Sequence, residues 1–169
     1  MDQRRLGAYG RFLWALPRYL KNPLTLEESG KNIRERLKNR KQSFLNVVES
    51  GIYSNPGSPY LRLLNMAGCE YDDFVEGIEK KGIEGFLGQL MQSGVWISEE
   101  EFKGRVPVER GSTRFSIDPD SFDNPGLSGI IPVSTGGSSG LSVKTRFDLD
   151  FLACRASYDR FMFRILNLE

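Results

Sequence analysis

Residues 129–147 read GIIPV, STGGSSG, LSVKTRF. An apolar, β-branched run enters a loop made only of glycine and small hydroxyl residues. A second β-type run, carrying Lys144 and Arg146, leaves it. Two such runs around a glycine-rich centre predict a hairpin, with strands over 130–134 and 141–147. The loop has the right chemistry to wrap backbone N–H groups, hydroxyls and a cation around phosphate oxygens. Its glycines allow close approach and positive φ. The same composition also fits a flexible linker. A Walker A loop is excluded, because that pattern runs Gly-Lys-Ser/Thr straight into a helix. Here Lys144 and Thr145 stand four and five positions after Gly140, with strand-like Leu141, Ser142 and Val143 between.

Downstream, Asp148 or Asp150 is positioned to cap a final helix over 151–166. Its apolar residues crowd several faces, so it expects further protein around it. Upstream, 118–126 reads as a loop, and 106–117 as extended chain or strands. Arg110, Arg114 and Arg146 either join the loop in an anion-binding set or are surface strand cations, the latter being the commoner case. Before residue 105 the pattern is helical. Ser98 to Glu101 spells a capping box for a helical turn over 99–103, and its acidic trio suits the positive end of a helix dipole. Val95, Trp96 and Ile97 read as extended. Helices are expected over 83–93 closed by Gly94, from an Asp72 cap toward residue 81, and over 60–67 closed by Gly68. The stretch from Asn55 to Pro59 is a turn. Thr25 and Glu28 form another capping box, opening a helix over 25–50 with an interruption at Gly30 and a stop at Gly51. Ile33, Leu37, Phe44 and Val48 would mark its buried side.

The first 41 residues are rich in Arg and Lys, while 70–101 is acidic. Leu6, Tyr9, Leu13, Leu16 and Leu20 recur at helical spacing among Arg4, Arg5, Arg11 and Arg18, with Pro17 bending or ending the helix. Two readings stand. One is a helix over 4–21 that seeks anionic lipid. The other, which is the expectation here, is a core-packing helix with a solvated basic face. Trp14 and Trp96 are expected to be packing anchors. Arg11 and Pro17 break the pattern of a secretory signal, and no run approaches the ~20 apolar residues of a membrane span.

The whole chain has 169 residues, 39% hydrophobic and 27% charged, with a net charge of +1, which is an ordinary globular composition and gives no general argument for nucleic acid. There is no histidine, so Ser134, Thr135, Ser138 and Ser139 lack the usual base that makes a hydroxyl nucleophilic. Cys69 and Cys154 match no metal spacing, and a reduced, cytoplasmic setting is the default.

Thr135-Gly136-Gly137-Ser138-Ser139-Gly140 resembles the phosphate-binding loop of the adenylate-forming enzymes, roughly T-S-G-T-T-G-x-P-K. Gly136 stands where that family usually has Ser, no Pro precedes the lysine, and Lys144 falls one residue late. Pro59 to Leu64, Ala67-Gly68, Tyr71 to Phe74 and Ile97 to Phe102 follow in an order similar to the phenylacetate-CoA ligase-like branch, which includes acyl-protein synthetases. The resemblance spans about 33–146. It implies an α/β adenylation domain, seen here as an α+β piece: a mainly helical region over 1–104, then over 105–169 the first strands of the sheet, the phosphate loop in a hairpin and a C-terminal helix.

The activity implied is attack of a carboxylate on the α-phosphate of ATP, then transfer of the acyl group to coenzyme A or a protein thiol. Thr135, Gly136, Gly137, Ser138, Ser139 and Gly140 would hold the nucleotide phosphates, with Lys144 as the cation and Mg²⁺ accompanying the nucleotide. No catalytic residue is assigned. The family keeps further catalytic groups downstream, so the chain is expected to be an N-terminal portion, inactive alone, with pairing into a homodimer as in related ligases. Two alternatives remain: a stand-alone nucleotide- or anion-binding module, and a helical interaction protein whose Gly/Ser loop is a linker.

Overall fold

The computed structural model describes residues 10, 13, 14, 16–21, 24–122, 131–134, 144–147 and 149–168. They form an α+β structure that is mostly helical, with two separate two-stranded antiparallel sheets. Its contacts divide into two units.

The first unit contains α1 (Leu26–Lys38), the strands β3 (Ile131–Ser134) and β4 (Lys144–Phe147), and α6 (Leu149–Ile165). Thr25 opens α1 as expected. Its Oγ1 accepts the Glu28 N–H at 3.1 Å, and Glu28 Oε2 accepts the Thr25 N–H at 2.9 Å. Gly30 does not interrupt the helix. It is buried within α1 beside Ser29, on a helix that packs against α6. Asn32 Nδ2 donates to Ser157 Oγ of α6 at 3.4 Å, and Ser157 is itself buried. A Cβ built on Gly30 would meet only the Arg34 side chain of the same helix, at 3.4 Å. Asp150 lies within α6, and Asp148, the other candidate cap, lies outside the described residues. The outer side of α6 carries exposed Phe161, Met162, Phe163 and Ile165.

The second unit contains α2 (Arg40–Val48), α3 (Pro59–Met66), α4 (Tyr71–Gln92), α5 (Glu99–Phe102) and the hairpin β1 (Val108–Arg110) with β2 (Thr113–Phe115). The helix expected over 25–50 divides at Asn39, so Leu37 does not share the α2 face and is 62% exposed. Leu45 and Val48 are the buried residues of α2, while Ile33 and Phe44 are half-buried. Gly51 does not stop the chain either. It lies in a π-helical turn, Glu49–Tyr53, closed by the Ser54 N–H donating to Glu49 O at 2.8 Å. Asn55 then makes the turn. Its Oδ1 accepts the Gly57 N–H at 3.1 Å, and its carbonyl accepts the Ser58 N–H at 2.9 Å. The helix α3 ends before Gly68 and α4 before Gly94, as the sequence predicts. The Cys69 N–H returns to Leu64 O and the Val95 N–H to Leu90 O, both at 2.9 Å.

The two helices expected on either side of residue 82 form one kinked element. Its N-cap is Glu70, not Asp72, because Asp73 at the third helical position accepts the Glu70 N–H at 3.1 Å. The kink is at Gly82, with φ 70° and ψ 171°, a conformation open essentially to glycine alone. It folds the second half back so that the buried Phe86 ring lies on Gly77. A Cβ built there would come within 2.2 Å of the ring. Phe86 also meets Phe74 edge-on, with centroids 5.3 Å apart. These rings join Leu45, Val48, Leu64 and Ile78 in the main core. A smaller core of Leu63, Val108 and Ile117 lies beneath the β1–β2 hairpin. That hairpin pairs Val108 with Phe115 and Arg110 with Thr113.

Replacing Gly77 by Ala sets a helix-propensity gain of about 1 kcal/mol against an overpacking cost of about 1–3 kcal/mol. Phe86 is held on its other side by Phe74, so the cost wins. Gly77→Ala is expected to lower the urea midpoint, and the Gly77→Ala/Phe86→Leu double variant to recover part of the loss. A midpoint equal to or above that of the parent would contradict this packing.

Candidate functional site

The strands β3 and β4 pair antiparallel, Ile131 with Phe147, Pro132 with Arg146, Val133 with Thr145 and Ser134 with Lys144. This is the hairpin expected from the sequence, and residues 130 and 141–143 of the expected strands lie outside the described residues. Pro132 removes a backbone donor, which a two-stranded ribbon tolerates because each strand is an edge. The period of two puts Lys144 and Arg146 at positions on one face, opposite Ser134 and Pro132. Nine residues, 135–143, stand between Ser134 and Lys144 in the sequence. Thr135, Gly136, Gly137, Ser138, Ser139 and Gly140 lie outside the described residues. Lys144 is fixed at the foot of their loop by its pairing with Ser134.

Arg110 and Arg114 lie on β1 and β2 of the second unit. Arg114 is an exposed strand cation, 3.2 Å from Glu109 on the neighbouring strand. Arg110 is neither available nor on the surface. Its side chain is 11% exposed and that of its partner Glu101 is 7% exposed. Nη1 donates to Glu101 Oε1 at 2.8 Å, and Nη2 to Glu101 Oε2 at 3.0 Å. Nε donates to Gly94 O at 3.2 Å, and Nη2 also to Trp96 O at 2.8 Å. The guanidinium carbon stands 3.7 Å from the centre of the Trp96 ring. Trp96, expected to be a packing anchor, is instead 42% exposed and lies over this cation.

The acidic trio divides accordingly. Ser98 caps α5, its Oγ accepting the Glu101 N–H at 3.2 Å while Glu101 Oε2 accepts the Ser98 N–H at 2.7 Å. Glu99 pairs with Lys103, and Glu100 with Arg105 at 2.7 Å. Glu101 is the buried member. Hydrogen bonds from Arg110 hold its carboxyl at about 2, with the Ser98 donors helping and burial opposing. Sequence reasoning missed this pair because nothing local marks a capping-box glutamate as buried.

A cleft of about 300 Å³ in the same unit is lined by Cys69, Asp73, Glu76, Lys80, Lys81 and Gln89 among others. Both lysines are engaged, Lys80 by Glu76 and Lys81 by Gln89. Burial pushes the Cys69 thiol up, so it is protonated and a poor nucleophile at neutral pH. The Tyr53 hydroxyl donates to Cys69 O at 3.0 Å, and its own ionisation is also pushed up by burial. The cleft is a packed, internally neutralised surface. Among the described residues no three His, Cys, Asp or Glu side chains converge on a metal position. No helix among them is long and apolar enough to cross a membrane.

Comparison of the chain with protein-family models, curated proteins and solved structures found no match.

Because the folded-state Glu101 carboxyl lies below its ordinary value of 4.5, its contribution is complete above that pH and lost as the pH falls toward 2. The stability of the parent should therefore drop between pH 4.5 and 2 relative to Glu101→Gln, whose own profile lacks this component. Removing the partner strands a buried carboxylate, and Arg110→Ala should cost about 3 kcal/mol at pH 7. Urea titrations at a series of pH values test both. Parallel profiles for parent and Glu101→Gln would contradict the assignment.

Proposed function

We propose that the β3–β4 hairpin presents a nucleotide-phosphate loop, and that the chain handles ATP phosphates in a carboxylate-activating reaction of the adenylate-forming type. The observation that carries this reading is the register that sets Lys144 against Ser134 at the foot of a long Gly/Ser loop. A cation at the base of a loop rich in N–H and hydroxyl donors is the arrangement an oligophosphate needs. The donor set fits such a ligand: hydroxyls from Thr135, Ser138 and Ser139, backbone N–H groups from Gly136, Gly137 and Gly140, and the ammonium of Lys144.

Here these groups orient the β- and γ-phosphates and neutralise charge that develops as pyrophosphate leaves. ATP supplies the activated phosphorus that a carboxylate attacks. Mg²⁺ would travel with the phosphates, as it commonly does. By the resemblance alone, β3 and β4 would open an adenylation-domain sheet, and coenzyme A or a protein thiol would serve the second step.

Titration calorimetry of the full chain with MgATP tests the loop. Loss of one charge-assisted hydrogen bond is worth about 1.5–3 kcal/mol, so Lys144→Ala should weaken binding by about tenfold or more. The same affinity in parent and Lys144→Ala would overturn the assignment. Carboxylate-dependent exchange of labelled pyrophosphate into ATP separates an activating enzyme, which exchanges, from a binding module, which holds MgATP without exchange.

A further inference from the structure

We infer that the N-terminal helix is a docking element for an anionic lipid surface, through an exposed Leu/Pro/Trp face bordered by Arg18 and Lys21. Every described residue from 10 to 21 is helical. A core-packing helix would bury its leucines. Here Leu13 is 64% exposed, Leu20 70% and Trp14 83%, while only Leu16 and Tyr19 are half-buried. Among its described residues, the helix turns Leu13, Trp14, Pro17 and Leu20 outward and Leu16 and Tyr19 toward the protein.

The outward residues are ordered. Leu13, Pro17 and Leu20 stand at i, i+4 and i+7, which stacks them in one row. Trp14, Arg18 and Lys21 repeat the same spacing in the adjoining row, and both cations are exposed. Apolar and aromatic side chains beside Arg and Lys are what an interfacial helix needs: the first enter the acyl boundary, and the second meet lipid phosphates. Tryptophan adds an amphipathic ring suited to headgroup depth. Charge complementarity names the occupant. Residues 1–24 contain five Arg and Lys against one acidic residue, although the whole chain is nearly neutral at +1. Basic residues of this density next to an apolar face match a phosphatidylserine- or phosphatidylglycerol-bearing leaflet, and attraction to it falls with added salt.

Flotation of the full chain with vesicles of phosphatidylcholine alone, or with a third phosphatidylserine, tests the inference. The chain should float with the anionic vesicles, be released in high salt and stay behind with neutral ones. Trp14→Ala and Leu20→Ser should each reduce flotation several-fold, and Arg18→Glu/Lys21→Glu by about tenfold or more. The side chains are exposed, and circular dichroism verifies that each variant is folded. Phe163→Ser on α6 serves as the control and should float like the parent. Brominated lipid should quench emission from the parent and not from a Trp14→Phe variant. Any of three results overturns the inference: no flotation with anionic vesicles, equal flotation with neutral ones, or loss in Phe163→Ser but not in Trp14→Ala. A concentration-dependent dimer abolished by Leu13→Glu would assign the face to a second copy instead.

Discussion

The Arg110 guanidinium closes the second unit. From one strand it reaches the carbonyl that follows α4, the carbonyl and ring of Trp96 and the carboxylate of Glu101 on α5. One cation thus ties the stretch 94–101 to the hairpin. A buried ion pair alone is weak support for stability, because desolvation offsets the attraction. This one has its remaining donors and acceptors satisfied by three backbone carbonyls, of Gly94, Trp96 and Glu109, and by the N-cap of α5. No buried side-chain nitrogen or oxygen among the described residues lacks a partner. The hairpin β1–β2 is too short to hold itself in place, since isolated two-stranded ribbons are marginal in water. Its attachment depends on Arg110 and on Val108, which is fully buried beside Leu63.

The helical hairpin of α4 supplies the rest of that unit. Gly82 makes the reversal, and Gly77 lets the Phe86 ring close it. With Phe74, Tyr53 and Tyr71 in edge-on contact nearby, the core is aromatic in character. The cleft beside it is flanked by charges that neutralise one another, and its thiol is held protonated. The described part of the second unit is built for packing, and the residues proposed for phosphate are Thr135 to Gly140 and Lys144.

Much of this was legible in the sequence where the signal is local. Both capping boxes, at Thr25 and Ser98, follow from hydroxyl and carboxylate three residues apart. The ends of α3 and α4 follow from Gly68 and Gly94, and the β3–β4 hairpin from two β-branched runs around a Gly/Ser centre. What escaped is set by tertiary contact. Gly30 reads as a breaker, yet it is buried inside an unbroken α1. Asp72 reads as a cap, yet Asp73 completes a box with Glu70. Arg110 reads as a surface cation because the residues that desolvate it lie nine to sixteen positions away. Trp14 reads as an anchor, and its exposure depends on which side of the helix meets the protein. For the phosphate loop, the sequence gives donor types and the structure gives the pairing at its foot.

Amide-resolved NMR of the full chain titrated with MgATP is the most direct measurement of the central claim, because it reports on the loop itself. The account predicts shifts concentrated at Gly136, Gly137, Ser138, Ser139, Gly140 and Lys144, with the amides of α4 and the β1–β2 hairpin unmoved. Shifts confined to other segments, or none at MgATP concentrations well above those in cells, would contradict it.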